Sequence, residues 1–118
     1  MSDSWWRISL LVWSDTYTAE TAIEKLGSGV AGRNGAWSRV FGAPDDEFSE
    51  QIDLVKRFLM AQMHVLLDLC IPGEAKLLIS WSPQTPQDHL IFDHDLMSLL
   101  VEIRADITLD TMIDDDAV

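Results

Sequence analysis

The chain is short of cysteine, of base and of long apolar runs, and each shortage closes off a class of protein. Cys70 is the single cysteine. No internal disulfide can form, which fits a reducing compartment better than a stapled secreted domain. Eight Lys and Arg face twenty Asp and Glu, for a formal net charge of -12. Phosphate backbones and anionic membranes would be repelled, and a basic protein would be attracted. The excess also goes beyond the roughly 2–8 charges that keep a small domain soluble. No stretch approaches the ~20 apolar residues that span a bilayer. The start, "MSDSWWRISLLVWSD", does not read as a secretory signal: Asp3 precedes any base, and Arg7 and Ser9 break the apolar run. A soluble cytoplasmic protein is therefore expected, although transport by a leaderless route is compatible with the same residues.

What is present is enough for a core. The chain has 118 residues, 47% of them hydrophobic. One compact domain over residues 1–118 is expected, with 114–118 as a frayed acidic tail.

Residues 5–13, "WWRISLLVW", alternate as a strand, with Trp6, Ile8, Leu10 and Val12 on one face and Trp5, Leu11 and Trp13 on the other. So apolar a strand belongs at the centre of a sheet. "SDTYTAETAIEKLG" predicts a helix capped by Thr18 and stopped by Gly27, with Ala19, Ala22, Ile23 and Leu26 buried. The glycines that follow have no phosphate-loop lysine and read as turn and linker residues. Within that stretch, "AWSRVF" predicts a short strand over 36–41.

The longest periodic signal covers 49–70. Ile52, Val55, Leu59, Met63, Leu66 and Cys70 form a helical stripe, widened by Leu54, Phe58, Ala61 and Val65. Pro72 and Gly73 end it. "AKLLISWS" and "HLIFD" predict two more strands, and "PQTPQD" a loop between them. "DHDLMSLLVEIR" predicts a helix capped by Asp93, with Asp95 in its first turn and Leu96, Leu99, Leu100 and Ile103 facing the core. "ADITLDTMI" predicts the last strand. Ile107, Leu109, Thr111 and Ile113 share one face, and Asp106, Thr108, Asp110 and Met112 the other. The order implies an α+β fold: a small mixed or antiparallel sheet of four to five strands with two to three helices packed on one face.

Three local features carry a resemblance. A strand runs straight into a helix ending in Leu26 and Gly27; "GRNGAWS" leads to a short strand centred on Trp37; and "LIFDHDLMSLLVEIRADITLDTMI" drops an amphipathic helix into an alternating strand. In these the chain resembles a domain-of-unknown-function family, number 4279. It departs from the family pattern in a shorter loop before Trp37, and in Met112 and Ile113 where the family often closes on tyrosine. The family has no agreed enzymatic activity. Its small acidic members are similar in kind to bacterial immunity proteins that neutralise a neighbouring toxin, an analogy that no single residue carries.

Candidate chemistry is sparse. Asp88, His89, Asp93, His94 and Asp95 cluster in sequence, and histidine with carboxylates can bind a divalent metal. His89 and His94 straddle a strand and a helix start, however, so their side chains need not converge, and neither a metal nor any other cofactor is expected. His64 reads as a partly buried helical residue, Cys70 as a small buried hydrophobe, and Glu20 and Glu24 as a wet helix face. No nucleophile–histidine–acid arrangement can be assembled, so no enzyme is expected.

The expected function is binding. An acidic immunity protein could cover a cognate toxin, of which a nuclease with its basic groove is one kind. The candidate contacts are Asp45, Asp46 and Glu47 before the long helix, Asp106 and Asp110 on the last strand, and the aromatics Trp5 and Trp13. The alternatives are a small metal-binding or enzymatic domain built on 88–95 and a structural housekeeping domain. The sequence leaves open whether the chain oligomerises.

Overall fold

A computed structural model describes residues 5–43, 46–82 and 91–111. The elements are β1 (Trp5–Ser14), α1 (Ala19–Leu26), β2 (Val30–Ala31), a 3-10 turn (Arg33–Gly35), β3 (Trp37–Phe41), α2 (Phe48–Cys70), β4 (Gly73–Ser82), α3 (His94–Glu102) and β5 (Ala105–Thr111). The five strands form one mixed sheet in the order β2-β3-β1-β4-β5. β1 is antiparallel to both β3 and β4, whereas β5 runs parallel to β4. A parallel pair needs a crossover, and α3 supplies it.

Register decides which side chains meet. Ile8, Leu10 and Val12 stand beside Phe41, Arg39 and Trp37 on one flank. On the other flank they stand beside Ile79, Leu77 and Ala75. All of these except Arg39 are buried. They form one core with Leu26 of α1, with Ile52, Val55, Leu59 and Leu66 of α2, and with Leu96 and Leu100 of α3. The helices thus cover one face of the sheet, as the alternation in β1 and β4 requires. Arg39 stays on that face by laying its guanidinium 4.7 Å from the Phe58 ring centroid and 4.9 Å from that of Phe41.

The helix starts follow local chemistry. The Thr18 hydroxyl accepts the Thr21 N–H, and Gly27 closes α1 in the left-handed conformation. The Asp93 carboxylate accepts the Leu96 N–H at 2.8 Å. α2 lacks a side-chain cap at Glu47. It is secured from within by Gln51, the one buried polar residue among those described. The Gln51 Nε2 donates to the carbonyls of Ala43 at 2.8 Å, Trp6 at 3.3 Å and Asp46 at 3.3 Å. One amide so ties the loop before α2 to the central strand.

Several expectations need correction. Residues 91–93 are not a strand, and 89 and 90 lie outside the described residues. The fifth strand is instead the two-residue β2, inside the stretch read as linker. Its loop is specific: a Cβ at Gly29 would collide with the Trp37 indole, whose Nε1 donates to the Ser28 carbonyl at 2.8 Å. Leu54 and Ala61 do not widen the buried stripe of α2; both are exposed. His64 is exposed, not partly buried, because it sits on the solvent side of α2. Ile107 and Leu109 do share the helix-side face, through pairing with Leu77 and Ile79. As members of the edge strand they nevertheless stay 38% and 46% exposed.

Leu59 and Leu66 are fully buried under the sheet. Changing either to Ala should cost roughly 2–5 kcal/mol, the range for an aliphatic side chain lost from a packed core. Urea melts measure it, and losses under about 0.5 kcal/mol in both variants would show that this face is not the one that matters.

Candidate partner-binding surface

The residues singled out in the sequence fall into two separate regions. The first is the start of α2. Glu47 is exposed and makes no side-chain cap bond. Asp46 has a structural duty: its Oδ2 accepts the Ala43 N–H at 2.9 Å and so shapes the loop. Asp45 lies outside the described residues. The second region is the sheet face away from the helices. Trp13 is half-buried there, with the Lys76 ammonium 5.9 Å from its ring centroid. Asp106 and Asp110 are exposed on the same face, beside Lys76 and Ser80 of β4. Trp5 pairs with Ser82, and its side chain is outside the described residues.

That sheet face as a whole carries both signs of charge. Trp13, Glu74, Lys76, Arg104 and Asp106 line a groove of about 420 Å³ in which both signs alternate. The helix-free side of β4 carries Lys76 as well as Glu74, so β5 alone supplies an unmixed acidic stripe.

A second concave site is at the start of α2, and most of it was not legible in the sequence. A cleft of about 440 Å³ is lined by Trp6, Phe48, Ile52 and Ile91, with Glu47, Asp53 and Asp93 among its polar lining residues. Trp6 meets Phe48 edge-on at 6.0 Å, and Phe48 meets Phe92 the same way at 5.9 Å, so the floor is a fixed aromatic packing. Ile91 is 67% exposed although it lies against that floor. In the sequence Trp6 belongs to the alternating face of the first strand and Asp53 to the long helix. What joins them is the long-range approach of the strand end to the helix start, which no local period reveals.

One ion network braces this cleft. The Lys56 ammonium lies 2.9 Å from the Asp93 carboxylate and 3.8 Å from that of Asp53. Asp93 is held below the usual carboxylate range, first by the Leu96 backbone N–H and then by Lys56. Lys56 is correspondingly raised, chiefly by its hydrogen bond to Asp93. The pair links α2 to α3, and it leaves Glu47 and Glu50 without a basic partner among the described residues.

The histidine–acid cluster does not assemble into a site from the residues described. Asp93 turns to Lys56 and Leu96. His94 and Asp95 are exposed neighbours, with Nε2 to Oδ1 at 3.7 Å. Asp88 and His89 lie outside the described residues. Among the described residues, no three of His, Cys, Asp and Glu converge as metal ligands. Cys70 is buried, and burial pushes its thiol up to about 11, far from the thiolate that a nucleophile needs. Glu20 and Glu24 are exposed. No helix described is long and apolar enough to cross a membrane. No family model, no curated protein and no solved structure matches the chain.

The network sets a pH dependence with a definite sign. A carboxylate whose pKa is depressed by folding adds stability above its unfolded value and loses it as pH falls through the folded value. Asn at position 93 can still cap α3 but cannot pair with Lys56. Wild type should therefore melt above Asp93→Asn near neutral pH, and the gap should close in acid as Asp93 is protonated. Paired thermal melts from about pH 7 down to about pH 2 check this. A gap that persists unchanged into acid would remove the ion pair as its cause.

Proposed function

We propose that the chain is an acidic protein-binding module of the immunity type: a cytoplasmic protein that covers a basic toxin domain and blocks it by occlusion. The observation that carries the reading is the cleft at the start of α2. Its floor is apolar and aromatic, and carboxylates stand around it. A lysine or arginine suits such a place, because its stem is apolar and its head is charged. Trp6 and Phe48 offer the stem a packed surface; Glu47, which has no basic partner among the described residues, offers the head a counter-charge. A basic groove of the kind that a nuclease uses for phosphates presents many such side chains.

The net charge of -12 supports the same reading from a distance. Opposite fields speed encounter, while desolvated contacts at an apolar floor set the lifetime of a complex. The likeness to family 4279 adds the analogy with small acidic immunity proteins and assigns no residue. Inhibition by occlusion requires no chemistry from the bound protein, which is consistent with the inert Cys70 and the exposed His64.

The decisive test is protection. Cells expressing the chain should survive the toxin encoded beside its gene, and the purified pair should form a tight complex. Glu47→Lys should lower affinity about tenfold or more, by placing a positive head at the cleft rim. Because Glu47 is exposed and makes no cap bond, that variant should lose no more than about 1 kcal/mol of stability, the cost of a base at a helix N-terminus. Absence of protection, together with absence of a complex, would remove the immunity reading.

The terminal aspartates should behave differently. Deleting residues 114–118 should slow association at low salt and leave the dissociation rate nearly unchanged, since charges outside the contact steer more than they hold. Surface-plasmon measurements at two salt concentrations separate the two rates.

A further inference from the structure

β5 ends the sheet. β4 lies on one side of it, and among the described residues no strand pairs with the other. Seven residues, Ala105–Thr111, therefore form an edge. The opposite edge is blunted, since β2 is two residues long. Native edges are protected by brevity, proline, bulges or charged side chains, lysine above all. Between Ala105 and Thr111 β5 has no proline and no lysine; its guard is a pair of aspartates, in the sequence ADITLDT, which repels an acidic strand and not a basic one.

What it has is a pattern. Ile107 and Leu109 project to the helix side and remain 38% and 46% exposed. Asp106 and Asp110 project to the opposite side and are exposed. Neither aspartate has an ion pair among the described residues, although Lys76 stands beside Asp106 across the ladder. The Lys76 ammonium lies instead toward the Trp13 ring. An added strand with apolar side chains beside Ile107 and Leu109 and basic ones beside Asp106 and Asp110 would meet every need of this edge. Main-chain hydrogen bonds would supply affinity, and the alternating side chains would supply choice.

We propose that β5 is a strand-addition site that accepts an extended segment of a partner protein, with apolar and basic residues in alternation. The proposal rests on the reading that the partner is a basic protein, and it adds a second contact remote in sequence from the cleft at α2. A second copy of the chain is a poor occupant. An antiparallel self-pairing centred on Thr108, which uses the full strand, would set Asp106 against Asp110 twice, and like charges directly opposed are destabilising. The net charge of -12 on each copy opposes it further.

The test uses the full chain and a synthetic peptide that alternates lysine and valine. Amide exchange should slow along residues 105–111 when the peptide binds. A peptide of the same charge, N-methylated along one edge, should lose that protection, because it cannot complete a ladder. Asp106→Asn combined with Asp110→Asn should weaken binding of the unmethylated peptide several-fold, with little change in the melt, since neither aspartate has an ion pair among the described residues. Equal binding by the methylated peptide, or protection confined to the start of α2, would overturn the proposal, since charge alone would then explain the binding. A dimer joined through β5, seen in sedimentation and by exchange, would give the edge to a second copy and overturn it too. The outcome is separable from the immunity reading. Peptide bound at β5 without toxin protection removes only that reading, and protection without any effect at β5 removes only strand addition.

Discussion

Ile8, Leu10 and Val12 give up their water to the helices, and β1 can bury them because it is hydrogen-bonded on both sides. A strand with either edge bare would leave main-chain groups to satisfy in an apolar layer. Its central place therefore forces the rest. β3 and β4 must flank it, α2 must cross over it, and α3 must carry the chain on to β5. Gln51 holds this arrangement at one end, since the amide that caps three carbonyls belongs to the covering helix while one acceptor, Trp6, belongs to the covered strand.

How much of this was readable depended on the range of the interaction. The alternation of Trp6, Ile8, Leu10 and Val12, the stripe from Ile52 to Cys70, and the caps at Thr18 and Asp93 are all local, and each appears where the sequence implied it. β2 was hidden because two residues carry no period, and because Gly29 looked like a linker residue when it makes room for an indole. The exposure of Ile107 and Leu109 was hidden for a different reason. Their face is fixed by alternation, but whether a helix reaches over it depends on where the sheet ends.

The candidate surface divides along the same line. Glu47, Asp106 and Asp110 could be named from charge and position. Trp6, Phe48, Ile52 and Ile91 could not be grouped, since they come from a strand, a helix and the segment before another helix. Charge is legible because every carboxylate counts wherever it sits; shape is not, because a cleft belongs to elements that meet only after folding. The acidity of the chain thus says which kind of partner to expect, and the aromatic floor says where a side chain of that partner would rest.

Cys70 gives the molecule a built-in clock. Its sulfur is buried at the last turn of α2, and a pKa of about 11 leaves almost no thiolate near neutrality. An alkylating reagent must wait until that turn opens, and the chain has no other thiol to confuse the count. The labelling rate therefore measures how often the end of α2 opens in otherwise native protein.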